Sequence, residues 1–121
     1  MSDFKKLKVW SKAHELAIEA VRAATKMRGP CAGLLRNQWL RATISVPMNI
    51  AEGSAKQSDR EFIRYLRIAR GSANECEYHV ILARDLGLLN QEQFEDLNAR
   101  TQAVSRMLAG LIRRLDKNDS A

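Results

Sequence analysis

Hydrophobic residues recur at helical spacing along four segments of the chain. Within each segment the apolar residues lie three or four positions apart, which is the period of one buried helix face. The segments predict helices over about residues 9–27, 34–52, 59–86 and 91–115, with a polar, frayed tail at 116–121. No segment alternates apolar and polar residues at the strand period of two. Because short breaks join consecutive helices, neighbouring helices should run antiparallel.

The resulting fold prediction is an all-α, antiparallel up-down-up-down four-helix bundle that forms a single domain over residues 1–121. The third and fourth segments carry the most regular apolar stripes. The predicted core stripes are Phe62, Leu66, Ala69, Ala73, Cys76, Val80 and Ala83 on the third helix, and Phe94, Leu97, Thr101, Val104, Leu108, Leu111 and Leu115 on the fourth. Shorter stripes on the first two helices comprise Trp10, Ala13, Ala17, Ala20, Ala24 and Met27, then Leu35, Trp39, Ala42 and Val46.

Polar residues at the segment ends predict helix caps. Ser58 is followed three residues later by Glu61, the spacing of a capping box in which each side chain accepts from a free backbone N–H. Asn90 and Gln93 repeat that spacing with residues that form the box more weakly. Gly87 is placed to end the third helix.

The stretch VPMNIAEGSAKQSDREF, residues 46–62, interrupts the pattern between the second and third segments. Pro47 removes a helical N–H and should bend the second helix or leave a carbonyl unpaired, with Ser45 and Asn49 supplying local hydrogen bonds. Glu52 is predicted to reach a cation such as Arg60, Arg64 or a lysine of the first segment. Gly53 is predicted to end the helix in the left-handed conformation. We favour this structural interpretation over a ligand or active site in the same stretch.

Composition limits the classes of protein that the chain can represent. Hydrophobic residues make up 45 % and charged residues 28 %, which is ordinary for a globular domain. No apolar run approaches the ~18 residues of a membrane span. The N-terminus lacks the apolar region of a signal peptide, so we expect a cytoplasmic protein without membrane contact. The two cysteines, Cys31 and Cys76, are expected to be reduced thiols.

Residues that could support chemistry are few. His14, Cys31, Cys76 and His79 are the candidate metal ligands, but no second Cys/His pair completes a site with Cys76 and His79. We therefore predict no metal, no cofactor and no small-molecule substrate. Nucleophile elbows and phosphate-binding glycine loops are missing from the sequence, so an enzyme is not expected. An enzyme that uses Glu52 and Asn49 is the alternative.

Positive charge exceeds negative charge, with 20 Lys and Arg against 14 Asp and Glu. Such a surplus permits attraction to phosphate backbones without requiring it. Two basic groups stand out, one on a single face of the third helix and one interleaved with Phe4 and Trp10 near the N-terminus. The candidate residues for RNA or DNA are Lys5, Lys6, Lys8, Lys56, Arg60, Arg64 and Arg67. The plainer alternative is a solvated charged face.

Small and apolar residues outside the core stripes predict self-association. A glycine in an exposed helix costs ~1 kcal/mol relative to alanine, so small residues on a free surface favour close approach of another helix. A helix with a second apolar stripe usually packs against more than one neighbour. The candidate interface residues are Ile68, His79, Leu82, Leu86, Ala99, Ala103 and Gly110.

Three stretches of the sequence resemble a known family: FKKLKVWSKAHELA, then ISVPMNIAEGSAKQSDREFIRYLRIARGSANECEYHVILARDLGLL, then the ending LAGLIRRL. They are similar to the four-helix bundle protein family, which includes proteins encoded in intervening sequences of 23S ribosomal RNA genes. The resemblance covers residues 4–115 and rests on the Ile-Ala-Glu-Gly and Gly-Ser-Ala stretches. Met48 stands where smaller residues are common, and Cys76 where leucine is common.

The resemblance implies a homo-oligomer, typically a pentameric ring, without an established enzymatic activity. A related branch, the accessory proteins of diversity-generating retroelements, binds nucleic acid and a reverse transcriptase. Fold alone does not fix function. We therefore carry two hypotheses: a homo-oligomeric bundle that binds a nucleic-acid backbone, and a protein-interaction or scaffold module that does not.

Overall fold

The computed structural model describes the backbone of residues 3–120 and the side chains of residues 3–117. A short 3₁₀ helix, Phe4–Lys6, precedes α1 (Lys8–Ala24), α2 (Ala32–Ser54), α3 (Asp59–Asp85) and α4 (Gln91–Ser120). Each long helix packs against its neighbours in the chain, and α1 also packs against α4, which closes the bundle. The predicted all-α four-helix bundle is confirmed.

The helix ends differ from the expected positions at three places. α1 ends at Ala24, although Met27 in the following turn is still buried. α2 begins at Ala32 and continues through Pro47 to Ser54. α4 continues to Ser120, so residues 116–120 of the expected frayed tail are helical, and residue 121 lies outside the described part of the chain.

The connection between α3 and α4 is a Schellman turn. Gly87 has a φ of 75°, and its N–H donates to the carbonyl of Arg84 at 2.9 Å. The next N–H, that of Leu88, donates to the carbonyl of Ala83 at 2.8 Å. Left-handed backbone favours glycine, and these two bonds use carbonyls that the helix end leaves free.

The helix caps differ in completeness. The Ser58 hydroxyl accepts from the N–H of Glu61 at 3.1 Å, but the Glu61 carboxylate pairs with Arg64. Asn90 and Gln93 form both halves of a capping box, at 2.8 and 2.9 Å. The pair that we ranked second from sequence therefore forms the complete cap.

The core lies along the bundle axis and is rich in alanine, which lets the helices approach closely. Trp39 is fully buried. The predicted stripes are correct at most positions, but Phe62, Ala17 and Trp10 are only partly buried. On α4, Ile112 is buried while Leu111 and Leu115 are half-buried, because a straight helix drifts by ~20° per heptad away from a 3.5-residue repeat.

Pro47 is accommodated inside α2. The side-chain amide of Asn49 donates to the carbonyl of Ser45 at 2.8 Å and to its hydroxyl at 3.0 Å. The Ser45 hydroxyl in turn lies 2.8 Å from the hydroxyl of Ser72 on α3. This chain of polar contacts ties the helix around the proline to its neighbour.

Gly53 serves a different purpose from the one expected. Among the described glycines, only Gly29 and Gly87 have a positive φ, so the prediction of a left-handed Gly53 is wrong. Gly53 is buried within α2, where an added Cβ would lie 2.7 Å from the Cβ of Tyr65 and 2.9 Å from the ring of Phe62. Glycine is needed there because α2 and α3 approach closely.

Within residues 3–120, none of the helices combines the length and the apolar content that crossing a membrane requires.

Candidate nucleic-acid interface

The outer side of the α3–α4 pair carries a groove lined by arginines. Two adjoining depressions between these helices share Arg70, Ala109 and Arg113. Small residues such as Ala109, Ala73 and Gly71 keep the floor open between the longer side chains. We call this feature the α3–α4 groove, and its charged and polar lining comprises Arg67, Arg70, Arg106, Arg113, Asn74, Glu77, Thr101, Gln102 and Ser105.

Antiparallel packing brings these arginines together. On α3, Arg67 and Arg70 are three apart, and on α4, Arg106 and Arg113 are seven apart, so each pair lies on one side of its helix. The Gln102 amide donates to the Glu77 carboxylate at 3.0 Å, which fixes the level at which the two helices meet. At that level the α3 pair lies across the groove from the α4 pair.

The charges in the groove are unbalanced. Within residues 3–117, neither Arg67, Arg70, Arg106 nor Arg113 forms an ion pair. Among the described residues that line the groove, Glu77 is the one carboxylate, and it already accepts from Gln102. Four guanidinium groups therefore face solvent with their donors free.

Three arginines outside the groove are paired with carboxylates. Arg22 pairs with Glu19 at 2.8 Å, and Arg84 pairs with Asp85 at 2.9 Å. Arg100 pairs with Asp96 at 3.0 Å. Arg41, Arg60 and Arg114 also form no ion pair within residues 3–117, so what distinguishes the α3–α4 groove is that four such arginines lie together.

The predicted arginine stripe on α3 is divided by the structure. Arg60, Arg64 and Arg67 are all exposed, but only Arg67 lines the groove. The Glu61 carboxylate, 3.3 Å away, raises the pKa of Arg64. Arg64 and Lys56 both lie against the ring of Tyr65, at 4.7 and 5.1 Å from its centre. These two cations thus help to hold the α2–α3 connection.

The N-terminal basic group lies on a different side of the bundle. Lys5 and Lys6 are exposed on the 3₁₀ helix, and Lys8 begins α1. Beside them, the rings of Phe4 and Trp10 meet edge to face at 5.0 Å. Trp10 also stacks on His14 at 4.9 Å.

A second groove connects this group to α4. Lys8, Arg106 and Arg114 line a depression between α1 and α4. Because Arg106 also lines the α3–α4 groove, the two basic surfaces adjoin across α4.

Sequence reasoning missed most of the α3–α4 groove. It grouped cations along one helix, whereas the groove is formed by arginines of two helices that are about 40 residues apart in the chain. No local pattern in the sequence predicts it, because Arg67 and Arg70 meet Arg106 and Arg113 only through the level at which α3 and α4 pack.

The predicted self-association residues are not all available to a partner. Ile68 and Leu86 are exposed, and Leu82 is half-buried against the core. His79 is buried within its own chain, and this burial lowers the pKa of His79. The remaining residues lie on α4: Ala99 is exposed, while Ala103 and Gly110 line the α1–α4 groove.

The residues considered for catalysis and for metal binding lie apart from the α3–α4 groove. The Asn49 amide donates to the carbonyl of Ser45. Glu52 is exposed and forms no ion pair within residues 3–117. The contact that we expected between Glu52 and Arg60 or Arg64 is therefore not formed. Cys76 is buried 3.3 Å from the Thr43 hydroxyl, and burial raises the pKa of Cys76 to about 11. Among the described side chains, no three His, Cys, Asp or Glu residues cluster closely enough to hold a metal ion.

Comparisons with known proteins agree with this fold. The structure is similar to that of a protein of unknown function from the S23 ribosomal protein family of Bacteroides thetaiotaomicron VPI-5482, with a TM-score of 0.79 and 28 % sequence identity over 86 % of this chain and 97 % of that one. No curated protein matches the chain. Residues 5–110 match the model of the 23S rRNA-intervening sequence protein family. This chain therefore belongs to the 23S rRNA-intervening sequence protein family.

Proposed function

We propose that this protein is a non-enzymatic, self-associating bundle of the cytoplasm that binds the sugar-phosphate backbone of nucleic acid through the α3–α4 groove. The observation that carries the proposal is the set of four arginines in the groove, Arg67, Arg70, Arg106 and Arg113, which have no acidic partner among the described residues. For the number of subunits, five is the value implied by the resemblance.

The chemistry of the groove fits phosphate oxygens. Each guanidinium presents several N–H donors in a planar fork that can bind a phosphate through two parallel hydrogen bonds. Asn74, Gln102 and Ser105 add neutral groups of the kind that commonly contact phosphate and sugar. An elongated groove of this composition suits a strand of repeated phosphates better than a single small anion.

The groove offers little with which to read a base sequence. Its described lining includes no aromatic side chain on which a base could stack. Contacts to phosphate position a ligand but carry no sequence information. We therefore expect binding that depends on backbone charge and only weakly on sequence.

RNA is the first ligand to test, because the family's description refers to 23S rRNA. The assay is fluorescence anisotropy with a labelled single-stranded RNA at low salt. We expect saturable binding that the triple variant Arg67→Gln, Arg70→Gln, Arg113→Gln weakens by at least tenfold. A second triple variant, Arg22→Gln, Arg84→Gln, Arg100→Gln, removes the same charge from paired arginines and should bind more tightly than the first.

Two results would count against this function. One is the absence of RNA or DNA binding at low salt by a folded protein. The other is equal weakening by both triple variants, which would mean that net charge rather than the groove attracts the ligand.

A protein-interaction module is the second candidate, favoured by apolar residues on the outer side of α2. Leu34 is 67 % exposed and Met48 is 62 % exposed. A partner protein captured from a lysate and retained after nuclease digestion supports this candidate, whereas a partner lost on digestion supports the nucleic-acid proposal.

A further inference from the structure

The contact between α2 and α3 fixes which residues of the two helices are level with each other. The Ser45 hydroxyl lies 2.8 Å from that of Ser72, and the Thr43 hydroxyl lies 3.3 Å from the thiol of Cys76. α2 and α3 are antiparallel, so moving three residues up one helix corresponds to moving about three residues down the other.

Beside the Ser45–Ser72 contact, each helix carries a stripe on the side away from the core. Members of a stripe are seven residues apart, which places them on one helix face. The stripe on α2 is Leu34, Arg41 and Met48, and the stripe on α3 is Ile68, Glu75 and Leu82. We call the two stripes together the α2–α3 ladder.

The ladder has three rungs with a charged one in the middle. At the level set by Ser45 and Ser72, Arg41 is opposite Glu75. The same register puts Met48 opposite Ile68 at one end, and the remaining rung pairs Leu34 with Leu82 at the other end.

The apolar members of the ladder are exposed to an unusual degree. Leu34, Met48 and Ile68 are 67 %, 62 % and 44 % exposed, while Leu82 is half-buried. Single exposed apolar residues are normal on a protein surface, but apolar residues aligned on neighbouring helices typically mark an interaction site.

The central rung is charged but unpaired. Within residues 3–117, Arg41 and Glu75 form no ion pair and no side-chain hydrogen bond, either with each other or with another residue. A partner that covers the apolar rungs must therefore supply a carboxylate near Arg41 and a cation near Glu75, since an uncompensated charge in an interface is costly.

We infer that a second copy of this chain covers the α2–α3 ladder. A rotation axis parallel to the helices keeps every residue at its own level and sets the α2 stripe of one copy against the α3 stripe of the next. Arg41 then meets the partner's Glu75, and Met48 meets the partner's Ile68. The ladder of one copy thus carries the charges that complement the ladder of the next. An unrelated protein would need its own carboxylate and cation at the same two positions.

This inference rests on the self-association in the proposed function and assigns its interface. It is independent of nucleic-acid binding, because the α3–α4 groove and the ladder use different faces of α3. An axis parallel to the helices gives the same pairing in a closed dimer and in a ring of five, and the particle mass distinguishes the two.

The test is a charge exchange followed by light scattering across protein concentrations. Arg41→Glu and Glu75→Arg each place like charges together, and each should raise the dissociation constant at least tenfold, leaving monomers of 13.7 kDa at low concentration. The double variant restores opposite charges and should recover the wild-type mass. Lys26→Glu, at an exposed cation outside the ladder that likewise forms no ion pair within residues 3–117, is the matched control and should leave the mass unchanged.

Circular dichroism during thermal unfolding shows that each variant is folded. A monomeric wild-type protein at all concentrations overturns the inference. So does an assembly whose mass the two single variants leave unchanged, or a double variant that stays dissociated. RNA binding is also measured on these Arg41 and Glu75 variants, and the mass of the assembly is measured on the groove variants. Loss of assembly and loss of RNA binding are then scored separately, so failure of one proposal can be told from failure of the other.

Discussion

The hydroxyl groups of Ser45 and Ser72 lie 2.8 Å apart and join α2 to α3 across a largely apolar contact. Asn49 donates to Ser45 at the same point, so the polar groups near Pro47 are used together. Polar groups at a helix contact are satisfied in one register only, which makes them determinants of alignment as well as of stability. This pair therefore decides which residues meet in the core and which meet on the α2–α3 ladder.

Gly53→Ala tests the close approach of the same two helices. The added Cβ would lie 2.7 Å from the Cβ of Tyr65, and the backbone-borne Cβ cannot move away as a flexible side chain could. We expect the free energy of unfolding to fall by about 1–3 kcal/mol, as for other overpacked cores. Urea denaturation monitored by circular dichroism measures it.

The control is Gly110→Ala, which meets only the ends of two arginine side chains, at 3.5 and 3.8 Å. Alanine favours a helix over glycine, so this variant should be as stable as the wild type or more stable by up to ~1 kcal/mol. Equal stability of the Gly53 and Gly110 variants would show that α2 and α3 are not held at the described distance.

The two thiols should react at very different rates. Cys31 is exposed, whereas Cys76 is buried and burial raises its pKa to about 11. Because thiolate is the reactive form, Ellman's reagent at pH 8 should modify only Cys31 of the native protein, and Cys76 only after denaturation. A Cys31→Ser variant that reacts quickly without denaturant would contradict the buried position of Cys76, and Cys76→Ser is the matched control.

Acid should destabilise the protein partly through His79. Burial lowers the pKa of His79, and its Nδ1 has no hydrogen-bond partner among the described residues. The unfolded chain, with a histidine pKa near ~6.5, then binds more protons than the native state, so the stabilisation is present above that pH and is lost as the pH falls below it.

The measurement is urea unfolding of His79→Gln and wild type at pH 7 and at pH 5. The loss of stability between these pH values should be smaller in the variant than in the wild type. An unchanged pH dependence in His79→Gln would rule out this histidine as a source of acid sensitivity.

The fold could be predicted from sequence because helical periodicity is a local signal. Leu66, Ala73 and Val80 follow the buried face of α3 without reference to any other helix. Gly53 was misassigned for the opposite reason. Its requirement for glycine comes from Tyr65 on the neighbouring helix, which a local end-of-helix rule does not include.

The candidate site was predictable only in part. Arg67 was identified because it lies in a run of arginines on one helix. Arg106 and Arg113 join it across two helices, and that juxtaposition depends on the level at which α3 and α4 meet. Arg64 was also among the cations proposed from the sequence, but its guanidinium forms an ion pair with Glu61, three residues earlier.

The salt dependence of RNA binding tests the central claim most directly. Each phosphate contact that is lost should reduce the slope of log K against log salt by ~0.7 for a single strand, because fewer counterions are released. We expect the double variant Arg70→Gln, Arg113→Gln to lower the slope by ~1.4, and the double variant Arg22→Gln, Arg100→Gln to leave it unchanged. Equal slopes for wild type and both variants, or no binding at any salt concentration, would contradict the assignment of the α3–α4 groove.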